Sequence, residues 1–343
     1  MIGRPTSRLM LRLWAAAALL ALGAFEGLAA EPVYGPELQG FDYPWPVRDF
    51  AFESQGEPVV MRYMDVKPEK PNGETAVVLH GKNFCAATWE QTIRALTAAG
   101  YRVIAPDQIG WCKSTKPARY QYSFQQLAAN THALLASLGL SEVIVIGHST
   151  GGMLAARFAL MYPQNVSALV LVNPIGLEDG KALGVPYRSI DEQIAREKAI
   201  TADKIRAYER STYYAGQWRP EYERWVTMFA GIMQGPGRDI VARNMGLIDD
   251  MIFTQPVVYE FPLIRVPTLL MIGDKDTTAI GKDYAPPEVR AKLGHYPELA
   301  QRTKAAIPGA RLIEFPDAGH APQIQEPDKF NHALVEGLAA LRR

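Results

Sequence analysis

The chain has 343 residues, 48% of them hydrophobic, enough to bury a full core as one large domain or two modest ones. Its 36 Lys and Arg balance 36 Asp and Glu, and no basic run or Arg cluster interleaved with aromatics stands out. The first figure excludes a disordered tail, and the second makes nucleic acid a poor partner.

In chain order, residues 1–30 read as a secretory signal peptide. Arg4, Arg8 and Arg12 make a positive start, Leu13 to Phe25 an apolar stretch, and Gly27-Leu28-Ala29-Ala30 a small-residue cleavage region. That stretch is well short of the ~20 residues a bilayer span needs, so no stable membrane anchor is expected after its removal. The mature protein is expected to be exported, periplasmic or secreted. Short apolar runs and helical stretches then alternate. Val59–Val66, Thr75–His80, Tyr101–Pro106, Val143–Gly147, Ala168–Asn173, Thr268–Ile272 and Arg311–Phe315 read as strands. Thr88–Ala99, Ser123–Leu138, Gly151–Tyr162, a stretch around Pro297–Ala306 and Pro327–Leu341 read as helices, several stopped by Gly or Pro. Strands apolar on both faces, alternating with helices, indicate an α/β architecture with a mostly parallel sheet covered on both sides.

The segment "VIVIGHSTGG", Val143 to Gly152, runs a β-branched strand into Gly, His, Ser, Thr and two more Gly. A sharp strand-to-helix turn forces unusual backbone angles on its central residue and brings neighbouring backbone very close. Gly147 and Gly151 then stand where a Cβ would clash. Ser149 would be held exposed above the sheet, at a helix N-terminus that favours developing negative charge. That makes Ser149 the candidate nucleophile.

Five motifs in order resemble the α/β-hydrolase fold family, from Val59 onward. Gly147-His148-Ser149-Thr150-Gly151 matches its nucleophile elbow, and "AVVLHGKNF" its strand ending in His80-Gly81. "VIAPDQIGWCKSTKP" resembles its strand, Asp and Gly-rich turn, with Cys112 where a second Gly is frequent. "LLMIGDKD" carries the Gly-x-x-Asp of its acid, and "PDAGHAPQIQEP" its late Gly-His. The resemblance implies a hydrolase core over residues 31–174 and 266–343, with a helical lid inserted over 175–265. It assigns the acid to Asp276, with Asp274 as the rival, and the base to His320.

A Ser hydroxyl is a weak nucleophile at neutral pH, so it needs an imidazole that can take its proton and return it, and an acid that fixes the imidazole tautomer. The oxyanion would be bound by the N–H of Thr150 and, from the loop after His80-Gly81, by that of Lys82 or of the runner-up Asn83. His80 and His148 read as structural neighbours and Asp107 as a turn-holding carboxylate. His132, His295 and His332 lack paired ligand spacing, and nothing resembles a phosphate cradle, so neither metal nor cofactor is expected.

The expected reaction is hydrolysis of a small to medium, largely apolar carboxylic ester through an acyl-enzyme on Ser149. C–C bond hydrolysis, amide hydrolysis and perhydrolysis are alternatives on the same scaffold, and a non-enzymatic binding role usually shows a broken triad. Trp218, Trp225, Met228, Phe229 and Met233 lie on apolar faces of the lid; most should be lid core and a few should roof the pocket. Oligomeric state is silent. The two cysteines, Cys85 and Cys112, follow strands that are neighbours in the resembled fold, so export would favour a disulfide between them.

Overall fold

Eight strands form one sheet in the computed structural model, which describes residues 1–2 and 32–341. They are β1 (Val47–Ser54), β2 (Glu57–Val66), β3 (Thr75–Leu79), β4 (Arg102–Pro106), β5 (Val143–His148), β6 (Val166–Val172), β7 (Thr268–Gly273) and β8 (Arg311–Phe315). Their spatial order is β1-β2-β4-β3-β5-β6-β7-β8. β2 pairs antiparallel with both β1 and β4, and all pairs from β4 to β8 are parallel. The chain divides into two units, Met1–Pro32 and Val33–Arg343, and the sheet belongs to the second. Apart from its first two residues, the segment read as a signal peptide lies outside the described residues. Among the described residues, no helix is long and apolar enough to cross a membrane.

The parallel strands are buried on both faces because both are covered. Val77, Leu79, Val143, Val145, Leu169 and Leu171 pack into one core, while Ala76, Val78, Ile144, Ile146, Val170 and Val172 pack into a second. This period of two is the pleat alternating side chains across the sheet. The helices that cover or connect the strands are α1 (Glu90–Ala98), α2 (Phe124–Ser137), α3 (Thr150–Met161), α4 (Gly180–Leu183), α5 (Ile190–Lys198), α6 (Ala202–Tyr208), α7 (Glu223–Gln234), α8 (Arg238–Thr254), α9 (Pro287–Arg290), α10 (Tyr296–Ala306), α11 (Pro322–Gln325) and α12 (Pro327–Leu341). Ser123 caps α2 by accepting the N–H of Gln126, which places the helix start where the sequence puts it.

β1 is the strand that the sequence reading lacks. It is an edge strand whose residues are half-buried or exposed except for the buried Ser54, and it carries no apolar run. A two-residue turn joins it to β2, with Gln55 and Gly56 both at positive φ, the geometry of a hairpin that follows the strand twist.

The chain between β6 and β7 contains α4 to α8 and no strand, and it is the segment expected to be a lid. α5 packs along α8 at close range because α8 carries Gly246, where a Cβ would lie 2.9 Å from the backbone N of Ile194. Trp225, Met228, Phe229 and Met233 of α7 are buried, and Trp218 packs half-buried against the same core.

Candidate active site

Ser149 sits between β5 and α3 at φ 58° and ψ −121°, in the left-handed region that a non-Gly residue enters only when its surroundings hold it there. The glycines around it show what holds it. A Cβ on Gly147 would lie 2.1 Å from the carbonyl O of Gly151, and one on Gly151 would lie 2.2 Å from the carbonyl O of Leu79. On the other side, a Cβ on Gly81 would lie 2.9 Å from Cβ of Ser149, so the loop after β3 packs directly against the serine.

Two later loops bring an acid and an imidazole to the same end of the sheet. Nδ1 of His320 lies 2.6 Å from Oδ2 of Asp276, and both side chains are fully buried. Asp276 also accepts from Nδ2 of Asn173 at 2.9 Å and, through Oδ1, from the N–H of Thr278 at 2.7 Å. With Nδ1–H given to the carboxylate, Nε2 of His320 keeps its lone pair, and it has no hydrogen-bond partner among the described residues. The Ser149 hydroxyl makes no hydrogen bond to it in this structure, an open arrangement common before a substrate is bound. Asp274 does not reach the imidazole. Its Oδ1 is buried without a partner, and burial together with Glu314 raises its pKa.

The other motif residues are scaffolding. His80 accepts the N–H of Gln108 on Nε2 at 3.1 Å and directs Nδ1 to the carbonyl O of Gly81 at 2.9 Å, while burial holds its pKa low. His148 gives Nε2–H to the carbonyl O of His320 at 2.8 Å; burial, and next the nearby His320, push its pKa well below the usual histidine range. Asp107 accepts from the Tyr43 hydroxyl and from the N–H groups of Ala86 and Lys113, which ties three loops together.

The oxyanion-hole candidates are Lys82 and Thr150. Thr150 opens α3 directly after the serine, and Lys82 is a central residue of the turn closed by the Phe84 N–H on the Gly81 carbonyl at 3.2 Å. Neither the Lys82 N–H nor the Thr150 N–H donates to a described residue. The side chains after Gly81 go elsewhere. Nζ of Lys82 lies 2.8 Å from Oε1 of Glu197 and 2.9 Å from Oδ1 of Asp249, and Nδ2 of Asn83 donates to the Tyr213 hydroxyl at 3.0 Å.

A cavity of about 590 Å³ opens beside Ser149 and Thr150. Ile175, Phe229, Ile252, Phe253 and Ile280 supply apolar wall, and of the five aromatic and Met residues picked out in the sequence Phe229 alone lines it. Apolar surface makes up most of its wall, and Lys82, Arg196, Glu197, Lys204, Asp249 and Asp283 also line it. Arg196, Glu197, Lys204 and Asp249 escaped the sequence reading because a charge on an amphipathic helix normally reads as its solvent face. α5 did carry a signal: its buried residues are Gln193 and Glu197, so its inward face is polar and requires a polar partner. Asn173 was also missed. It donates Nδ2 to Asp276 and accepts the Gly273 N–H on Oδ1 at 2.9 Å, which fastens the ends of β6 and β7.

The expected Cys85–Cys112 disulfide is corrected: both residues are free thiols. Their sulfurs and a carboxylate oxygen of Asp107 lie within 4.8 Å of one another, so the two loops do meet. Each thiol is engaged elsewhere, Cys85 with the Met228 thioether at 3.1 Å and Cys112 with the carbonyl O of Phe84 at 3.4 Å. Burial, and next Cys85, raise the Cys112 pKa well above the usual range, which keeps it as the unreactive thiol. Cys112 also holds φ 43°, which accounts for a position where glycine is frequent.

Tyr213 packs at a tilt against the His320 ring, with centroids 4.8 Å apart, from the end of a π-helical turn, Glu209–Tyr213. Glu209 is fully buried with neither carboxylate oxygen partnered, and burial, with a smaller contribution from Glu223, raises its pKa well above the ordinary value. The raised folded pKa fixes the sign of its effect. Its stabilising contribution is complete below the unfolded pKa of ~4.3 and is lost as pH rises through the folded value, at up to ~1.4 kcal/mol per pH unit. Glu209→Gln should therefore gain stability over wild type as urea unfolding is moved from pH 5 to pH 8; a pH-independent difference would refute a neutral Glu209.

A mostly parallel sheet, a serine on a strained strand-to-helix elbow and a late Asp–His pair define the α/β-hydrolase class of fold. The chain belongs to the alpha/beta hydrolase fold family, whose family model matches residues 76–327. It is 61% identical to a probable hydrolytic enzyme of known structure from Pseudomonas aeruginosa PAO1, with a TM-score of 0.89 over 90% of this chain and 99% of that one. It is 40% identical over 310 residues to the 2-hydroxy-6-oxononadienedioate/2-hydroxy-6-oxononatrienedioate hydrolase of Paraburkholderia xenovorans (strain LB400), covering 84% of this chain and 93% of that protein. It is 25% identical over 261 residues to Lipase 1 of Psychrobacter immobilis, covering 75% and 74%.

Proposed function

We propose that this protein is a serine hydrolase that cleaves a carboxylic ester through an acyl-enzyme on Ser149. The observation that carries the reading is the buried Asp276–His320 pair, whose free Nε2 lies at the same end of the sheet as the serine on its strained elbow. In this mechanism His320 Nε2 takes the Ser149 proton as Oγ attacks the ester carbon. The N–H groups of Thr150 and Lys82 hold the developing oxyanion, and the imidazolium returns its proton to the departing alkoxide. Water, deprotonated by the same imidazole, then releases the acid. Asp276 holds the imidazole in the required tautomer throughout.

Apolar wall residues favour an aliphatic or aromatic acyl group, with the charged residues at a more polar end of the substrate. C–C bond hydrolysis is the second reading, favoured by the 40% identity to a hydrolase named for that type of substrate. Both begin from the same Ser-His-Asp arrangement, and the Asp nucleophile of epoxide or haloalkane chemistry has no counterpart at position 149.

The test is a panel of p-nitrophenyl esters of increasing acyl length beside one dienol ketone and one anilide, each with and without a chelator. The ester reading expects the highest kcat/KM on an ester, unchanged by EDTA. A preference above tenfold for the ketone would transfer the assignment to C–C cleavage, and chelator-sensitive turnover would remove the metal-free mechanism.

A further inference from the structure

We propose that the side chain of Lys82 is a positioning residue, an ionic latch from the turn after β3 to α5 and α8 that aims the Lys82 N–H at the oxyanion. The inference rests on the serine-hydrolase reading and adds to it what holds that donor in place.

A backbone N–H at the centre of a tight turn is free to bind a ligand, but only if the peptide plane does not swing. Backbone contacts fix part of this turn: the Phe84 N–H closes it on Gly81, and the Trp111 indole N–H donates to the Lys82 carbonyl at 3.0 Å. The two central side chains fix the rest, and both end in the helical segment between β6 and β7. The Lys82 ammonium is shared by Glu197 of α5 and Asp249 of α8, and the Asn83 amide donates to Tyr213. The far end of the latch is closely packed, because Gly246 lets α5 approach α8 one turn from Asp249.

Electrostatics agree with the geometry. Burial alone would lower the Lys82 pKa, yet Asp249 and Glu197 more than offset it and keep the ammonium charged. Glu197 is almost wholly buried and only one of its oxygens is paired, so losing Lys82 would strand a buried charge. Misplacing a preorganised donor affects the transition state more than the ground state, since charge reaches the oxygen only on the way to the tetrahedral intermediate.

The test compares wild type with Lys82→Met, Lys82→Arg and the triple variant Lys82→Met with Glu197→Gln and Asp249→Asn, which leaves no orphaned carboxylate if the single variant fails to fold. Thermal melting establishes that each is folded. On a p-nitrophenyl ester, the Met variants should lose ~100-fold in kcat with KM within about threefold, and Arg should recover most of the loss. Affinity for an alkyl boronic acid, whose adduct with the serine mimics the tetrahedral intermediate, should fall by the same factor as kcat/KM. Unchanged kcat, or a rise in KM alone, would overturn the latch. Ser149→Ala separates the two proposals: boronate binding lost there but unaltered in the Met variants sinks only the latch, whereas no boronate binding by wild type sinks both.

Discussion

Ser149→Ala is expected to lower kcat by about 10⁶-fold while the protein remains folded, because without Oγ no acyl-enzyme forms and the rest of the site cannot compensate. The fold should tolerate the change. The crowding at the elbow lies around Gly147 and Gly151, whose absent side chains are opposed by backbone carbonyls at 2.1 and 2.2 Å. Alanine retains the one carbon of Ser149 that packs against Gly81. Circular dichroism and melting temperature check the fold, and single-turnover release of p-nitrophenol checks the chemistry. A folded variant with more than 1% of wild-type turnover would remove Ser149 as the nucleophile.

Asp276→Asn should be the second largest loss, about 10⁴-fold in kcat, with Asp274→Asn within about threefold of wild type. The asymmetry follows from the contacts. Asp276 meets His320 Nδ1 at 2.6 Å and is held by Asn173 and by the Thr278 N–H. An Asn there can present an N–H to the imidazole, which stabilises the opposite tautomer and puts a proton on Nε2 where the Ser149 proton must go. Asp274 has a buried Oδ1 with no partner and a raised pKa, so neutralising it removes a cost and no contact with the base. The pH–rate profile is a second readout: Asp276→Asn should regain activity at alkaline pH, where hydroxide can replace the general base, and Asp274→Asn should keep the wild-type profile. The reverse ranking would reassign the acid to Asp274.

The sequence by itself determined the parallel sheet, the elbow and the identity of the candidate triad. These are written locally: β-branched runs specify strands buried on both faces, and glycines appear where a Cβ would strike a carbonyl. Five motifs in order then carry the family resemblance. Asp276 over Asp274 was legible only as a register preference, and it is a contact between loops far apart in the chain that brings Asp276, not Asp274, to His320. The tertiary structure alone decided the remainder. β1 lacks an apolar run because an edge strand has one face and one edge in water. The thiols of Cys85 and Cys112 come together as their loops suggested, yet are free, with Met228 from the distant α7 and the Phe84 carbonyl as their partners. Glu197 and Asp249 read as ordinary helix charges until folding places them around an ammonium 115 and 167 residues away. Side-chain type and local period report burial, but which buried charge meets which is set by the packing of helices distant in the chain, and a single sequence carries no local trace of it.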